Sequence, residues 1–83
     1  MPEILIYTTK TCPYCVKAKM LLQKKQAAYQ EIDASDDKTR DDMIQKSGGK
    51  RTVPQIFING KHVGGCDDLY ALDSKGELDK LLA

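Results

Sequence analysis

The run Cys12-Pro13-Tyr14-Cys15 constrains this chain more than any other stretch. It follows a short β-branched segment, Ile4-Leu5-Ile6-Tyr7, and a helical pattern opens at Pro13. Proline suits the first helical position, because its missing N–H would have had no partner there. The fold must therefore end a strand, turn sharply and start a helix with two thiols on its first turn. Residues at i and i+3 on a helix have Cβ atoms about 5–6 Å apart. A disulfide wants Cα atoms about 4.4–6.8 Å apart. The pair can therefore open and close with little rebuilding, as a redox couple requires.

The two cysteines are not equivalent. Cys12 falls at the helix N-terminus, where unpaired backbone N–H groups and the helix dipole favour an anion. It is expected to be the exposed thiolate that attacks first. Cys15 lies inside the first turn and shares a helical face with Ala18 and Leu22. That face is the core side of the helix, so Cys15 is expected to be sheltered and to resolve what Cys12 forms. A zinc site would need two further ligands at suitable spacing. Only Cys66 and His62 remain, and there is no second C-x-x-C. A structural disulfide across so short a loop would be a weak staple.

Size and charge narrow the rest. With 83 residues the chain supports one small core, and residues 1–83 read as a single domain. Apolar residues are 41% and charged residues 30%, a soluble globular balance. Thirteen Lys and Arg against 12 Asp and Glu give a net charge of +1, which supplies no basic field for a nucleic-acid backbone. The start, Met1-Pro2-Glu3, lacks the features of a signal peptide, and no apolar run is long enough for a membrane span. Three cysteines, an odd number, without a secretory signal imply free thiols in a reducing compartment, the cytoplasm.

The order of elements follows from local signals. A strand is expected over 3–8, a helix over 13–26, and a weaker strand from Tyr29 to Ile32. Strand, helix and strand make a right-handed unit with parallel strands. Ser35, followed by Asp36 and Asp37, reads as a helix cap with acids in the first turn. That helix is thin in apolar residues, mainly Met43 and Ile44, and Gly48-Gly49 stops it. Val53 to Ile58 reads as a third strand, Asn59-Gly60 as a hairpin turn, and Lys61-His62-Val63 as its antiparallel partner. After Gly64-Gly65 a helix starts at Cys66, Gly76 interrupts it, and Leu78, Leu81 and Leu82 form a last helical segment. The order is β-α-β-α-β-β-α. This is an α/β protein with the minimal thioredoxin fold, a four-stranded mixed sheet with helices on both faces. Tyr7, Phe57 and Tyr70 are expected to pack, and His62 to lie on the surface.

Three blocks in this order, Cys12-Pro13-Tyr14-Cys15, Thr52-Val53-Pro54 and Gly64-Gly65-Cys66-Asp67-Asp68, resemble the dithiol glutaredoxins, specifically the bacterial glutaredoxin 3 type. The resemblance spans nearly the whole chain. It implies a cis bond before Pro54, beside Cys12, with Val53 presenting its N–H and C=O to a peptide-like ligand as one more strand. The implied ligand is glutathione, a co-substrate. Its γ-glutamyl carboxylate would meet the N–H groups of Cys66 and Asp67 beside Gly65, where glycine permits close approach and a helix start binds anions. The Asp67 side chain would take the amine. Tyr14 would flank the sulfur on the rim. Glutaredoxins often carry a Lys three residues before the first cysteine; here that position is Thr9, and Lys10 is one residue later. Lys10, Arg51 and Lys50 are the candidate cations for the glycine carboxylate. Cys66 is read as a buried small hydrophobe, with a regulatory thiol as the alternative.

The resemblance implies glutathione-dependent thiol–disulfide oxidoreduction through a Cys12–Cys15 redox disulfide. The implied partners are glutathione and glutathionylated or disulfide-containing proteins, with ribonucleotide reductase among the candidates. No metal is required, no nucleic-acid or membrane partner is implied, and the chain is expected to be monomeric. Two other readings stay open on the residues: an electron donor served by thioredoxin reductase, and a [2Fe–2S] cluster carrier built from two chains with glutathione.

Overall fold

The computed structural model describes residues 3–82. Met1 and Pro2, on which the reading of the N-terminal start rests, lie outside the described residues, as does Ala83. The elements are strand β1 (Ile4–Thr8), helix α1 (Pro13–Lys24), strand β2 (Gln30–Asp33) and helix α2 (Asp37–Lys46). Strands β3 (Gln55–Ile58) and β4 (Lys61–Gly64) follow, then helices α3 (Cys66–Ser74) and α4 (Glu77–Leu82).

The sheet order is β2-β1-β3-β4. β1 and β2 run parallel, joined by α1, while β1–β3 and β3–β4 are antiparallel. This is the mixed sheet expected from the sequence. The β3–β4 turn is made by Asn59 at φ 53° and Gly60 at φ 81°. Two successive positive φ values match the right-handed twist of the flanking strands, which is why Asn-Gly is favoured there. The Asn59 side chain also accepts the Glu3 N–H at 2.9 Å, tying the turn to the chain before β1.

Side-chain alternation splits the core between the two faces. Ile4, Ile6, Ile56 and Ile58 point one way and pack with Ala18, Leu21 and Leu22 of α1, Leu69 of α3 and Leu78 of α4. Tyr7 and Phe57 point the other way and pack with Met43 of α2 and Ala34. Central β3 is buried at every position. Helices thus cover both faces, the heavier layer on the α1 side. As its composition suggested, α2 buries only Met43 fully. It is also held by the Tyr7 hydroxyl, which donates to Asp42 Oδ2 at 3.0 Å.

Three local expectations need correction. The cap of α2 is Asp36, whose carboxylate accepts the Thr39 N–H at 2.9 Å. Ser35 is unavailable for capping, because Asp33 Oδ1 accepts both its N–H and its hydroxyl. Tyr70 does not pack in the core: it is exposed, and its hydroxyl donates to the Lys17 carbonyl at 3.1 Å, linking α3 to α1. β3 begins at Gln55 rather than Val53, so Val53 and Pro54 are left to form a corner rather than a strand.

Candidate active site

Cys12 is the N-cap of α1, with extended backbone at φ −111° and ψ 106°. Its sulfur accepts the Cys15 N–H at 3.2 Å, so the reactive group itself satisfies one of the orphan donors of the helix. Pro13 occupies the first helical position, as the sequence predicted. Cys12 is half-buried, whereas Cys15 is only 1% exposed. Burial, then the hydrogen bond with Cys12, pushes the Cys15 thiol up to about 12. Cys15 is therefore protonated and inert at neutral pH while Cys12 carries its free sulfur. The largest cause, burial, does not depend on the state of Cys12, so Cys15 is the sheltered thiol of the pair.

On one side of this pair lies the corner before β3. The Val53–Pro54 bond is cis. The Cys12 thiol lies 3.6 Å from the Val53 carbonyl oxygen, a sulfur–oxygen contact that joins the α1 start to the corner. An open groove of about 570 Å³ begins here. Thr52, Val53 and Pro54 form one wall, and Gly65, Cys66 and Asp67 at the start of α3 form the other, with Tyr14 on the rim. Gly65 is the N-cap of α3, and its N–H is taken by Asp68 Oδ2 at 3.0 Å. The first backbone bond of α3 runs from Leu69 to the Gly65 carbonyl. The amides of Cys66 and Asp67 precede it and belong to the orphan set of a helix start.

The structure thus brings together Cys12, Tyr14, Thr52, Val53, Pro54, Gly65, Cys66 and Asp67. Lys10 is not in the lining of that groove; it lines a second cleft together with Cys12 and Cys15 themselves and with Lys19, Glu31 and Asp33. Of the neighbouring pair Lys50 and Arg51, Lys50 lines the groove and Arg51 is exposed outside its lining. Tyr14 is 57% exposed, and the Lys17 ammonium stands 5.8 Å from its ring centroid. Cys66 is buried, and burial followed by the Asp67 carboxylate raises its thiol. Gln55 and His62 also line the groove, and sequence reasoning had placed neither there. Among the described residues, no group of three or more His, Cys, Asp or Glu side chains is arranged to hold a metal ion.

The glutaredoxin family model matches residues 4–63, which include the Cys12–Cys15 pair and the cis corner. The chain is a member of the glutaredoxin family. It is 58% identical over 81 residues to glutaredoxin 1 of Rickettsia prowazekii, covering 95% of this chain and 85% of that one. Against glutaredoxin 3 of Escherichia coli K12 it is 50% identical over 82 residues, covering 99% of both. The crystal structure of a buckwheat glutaredoxin–glutathione complex superposes with a TM-score of 0.85 at 32% identity, covering 95% of this chain and 74% of the buckwheat chain. This glutaredoxin is a thiol–disulfide oxidoreductase, and its two active thiols sit as a dithiol pair at the head of α1.

Proposed function

We propose that this glutaredoxin uses glutathione as its co-substrate. The observation that carries the reading is the Cys12–Val53 contact: the nucleophile touches the backbone that forms one wall of a groove whose other wall is the start of α3. A short peptide with a central cysteine suits that shape. Val53 pairs with its backbone as an added strand, and its sulfur is delivered to Cys12. Its γ-glutamyl carboxylate meets the Cys66 and Asp67 amides, and its amine meets the Asp67 side chain. Lys50 is the cation best placed for the second carboxylate. The buckwheat complex supports this reading, since that relative is a glutaredoxin with glutathione bound.

The chemistry follows from the unequal thiols. The Cys12 thiolate attacks the glutathione sulfur of a protein–glutathione mixed disulfide. The old S–S bond breaks, the protein leaves as a thiolate that takes up a proton, and Cys12 carries glutathione. A glutathione thiolate then attacks that sulfur, releasing glutathione disulfide and restoring Cys12. With a protein disulfide, Cys12 forms the mixed disulfide and Cys15 attacks the Cys12 sulfur, freeing the reduced protein. Two glutathione molecules then reduce the Cys12–Cys15 bond. We place this chemistry in the cytosol, where the glutathione pool keeps thiols reduced.

The test is intact mass and peptide mapping of Cys15→Ser after exposure to glutathione disulfide, followed by turnover with glutathione. One glutathione on Cys12, removed by free glutathione, is the expected result. No adduct on Cys12, with the wild type reduced only by thioredoxin reductase, would transfer the protein to the thioredoxin-reductase-served class. A visible absorption band in fresh protein would instead point to a cluster carrier.

A further inference from the structure

Gln55 is a polar side chain only 2% exposed, and its amide makes contacts at both ends. Its Nε2 donates to the Thr52 carbonyl oxygen at 2.9 Å, with Thr52 Oγ1 at 3.4 Å. Its Oε1 lies 2.6 Å from His62 Nε2. Because the amide nitrogen already serves Thr52, the amide oxygen must accept, so His62 must carry its proton on Nε2. The His62 ring is in turn set against Phe57, with centroids 5.0 Å apart. The sheet explains this meeting. Gln55 and Phe57 alternate onto one face of β3, and His62 stands opposite Phe57 on β4. His62 is therefore a diagonal neighbour of Gln55 across the hairpin.

The Thr52 carbonyl has a consequence for the groove. It belongs to the same rigid peptide plane as the Val53 N–H, and in a trans peptide the two point in opposite directions. Fixing the Thr52 oxygen from behind fixes the direction of the Val53 N–H in front. We propose that Gln55 and His62 are positioning residues, acting through Thr52 to aim the Val53 N–H at the backbone of the bound glutathionyl group. This rests on the glutathione reading of the groove given above. The pair sets how tightly that group is held and leaves the sulfur chemistry of Cys12 alone. The link survives protonation of His62, because Nε2 carries a proton in both states.

Three variants separate the roles. Gln55→Leu removes the amide, His62→Phe keeps a ring on Phe57 but removes the donor, and His62→Gln restores a donor. The readouts are kcat and KM for a glutathionylated peptide, and the pH profile of Cys12 alkylation. Losing one hydrogen bond is worth about five- to tenfold in binding. Gln55→Leu and His62→Phe should raise KM by that factor, with kcat and the alkylation profile at wild-type values, and His62→Gln should recover KM. Folded variants with unchanged KM, or with reduced kcat at constant KM, would overturn the proposal. A purely structural role would lower thermal stability without moving KM. Long-range nitrogen–proton NMR on the wild type tests the geometry without any variant: the neutral His62 ring must show the Nε2–H tautomer, and the Nδ1–H tautomer refutes the link. If the wild type does not turn over the glutathionylated peptide, the glutathione reading itself fails, which is distinct from a working enzyme whose KM ignores the variants.

Discussion

The Cys12 sulfur accepts the Cys15 backbone N–H at 3.2 Å, so the nucleophile of this enzyme is also the cap of its first helix. Serine in its place keeps an acceptor at the cap, and alanine does not. Cys12→Ser and Cys12→Ala should both abolish thiol–disulfide exchange. Their stabilities should nevertheless differ, with Cys12→Ala less stable than Cys12→Ser by about 1 kcal/mol, within the range for lost N-caps. Urea unfolding of the two reduced variants measures this directly. Equal midpoints would mean that the Cys12–Cys15 contact does not stabilise the helix start.

The buried thiols predict a selectivity. Cys15 is pushed up to about 12 by burial and by Cys12, and Cys66 is raised by burial and by Asp67. Native protein treated with iodoacetamide near neutral pH should take one label, on Cys12, and unfolded protein should take three. Intact mass counts the labels. The same shift has a thermodynamic sign. Above the ordinary thiol value of 9.0 the unfolded chain loses the Cys15 proton while the native protein keeps it. Native stability due to this group is therefore complete below pH 9.0 and falls as pH rises towards 12. Cys15→Ser should flatten the alkaline fall of the urea midpoint. The raised Tyr7 hydroxyl contributes a separate fall above pH 10.0, which the variant should leave in place.

Much of this site is written locally in the chain. Cys12-Pro13-Tyr14-Cys15 carries its own strand end, helix start and sulfur spacing, and Asn59-Gly60 carries its own turn. The two-sided core follows from alternation in Ile4-Leu5-Ile6-Tyr7. What was not legible depends on contacts between distant residues or on a local competition. Ser35 and Asp36 are both good caps, and Asp33 decides between them by engaging Ser35. Tyr70 sits beside buried Leu69, yet its own direction on α3 carries it out to the Lys17 carbonyl. Gln55 and His62 are seven residues apart, and their link requires the hairpin to be folded first. That Lys50 lines the groove beside Val53, while Lys10 lines the cleft beside Cys12 and Cys15, depends on how distant segments meet, which charge counting does not contain.

Glu31 supplies a prediction at the acidic end. Thr8 Oγ1 donates to Glu31 Oε2 at 2.7 Å, and Lys19 Nζ reaches the same oxygen at 2.9 Å. The Thr8 hydroxyl first, and Lys19 second, hold the Glu31 carboxyl below its ordinary 4.5. A lowered carboxylate contributes stability that is present above pH 4.5 and disappears as pH falls through its folded value. The Glu31 side chain is 42% exposed, so solvent screening keeps the contribution under about 1 kcal/mol. Glu31→Gln should lower the urea midpoint slightly at neutral pH and converge on the wild type in acid. A constant difference at every pH would assign the loss to packing rather than charge.

Gly64 gives a sharper test, because two independent features require glycine there. Its φ is 125°, a conformation that side-chain-bearing residues rarely adopt. A Cβ at Gly64 would also collide with the Asp68 carboxylate, the group that accepts the Gly65 N–H at 3.0 Å and closes the first turn of α3. Gly64→Ala must therefore strain the backbone and displace that carboxylate, costing about 2–4 kcal/mol in sum. Asp68→Ala alone loses only the helix-start bond, about 1 kcal/mol. In the double variant the carboxylate part of the collision is gone and only the contact with the Cβ at position 68, at 2.9 Å, remains, so the two losses should not add fully, and the double should be more stable than the sum predicts. Simple additivity in urea unfolding would mean that Gly64 is required for its φ alone. On the glutathione reading, Gly64→Ala should also raise KM for a glutathionylated peptide, because the displaced carboxylate disturbs the α3 start that forms one wall of the groove.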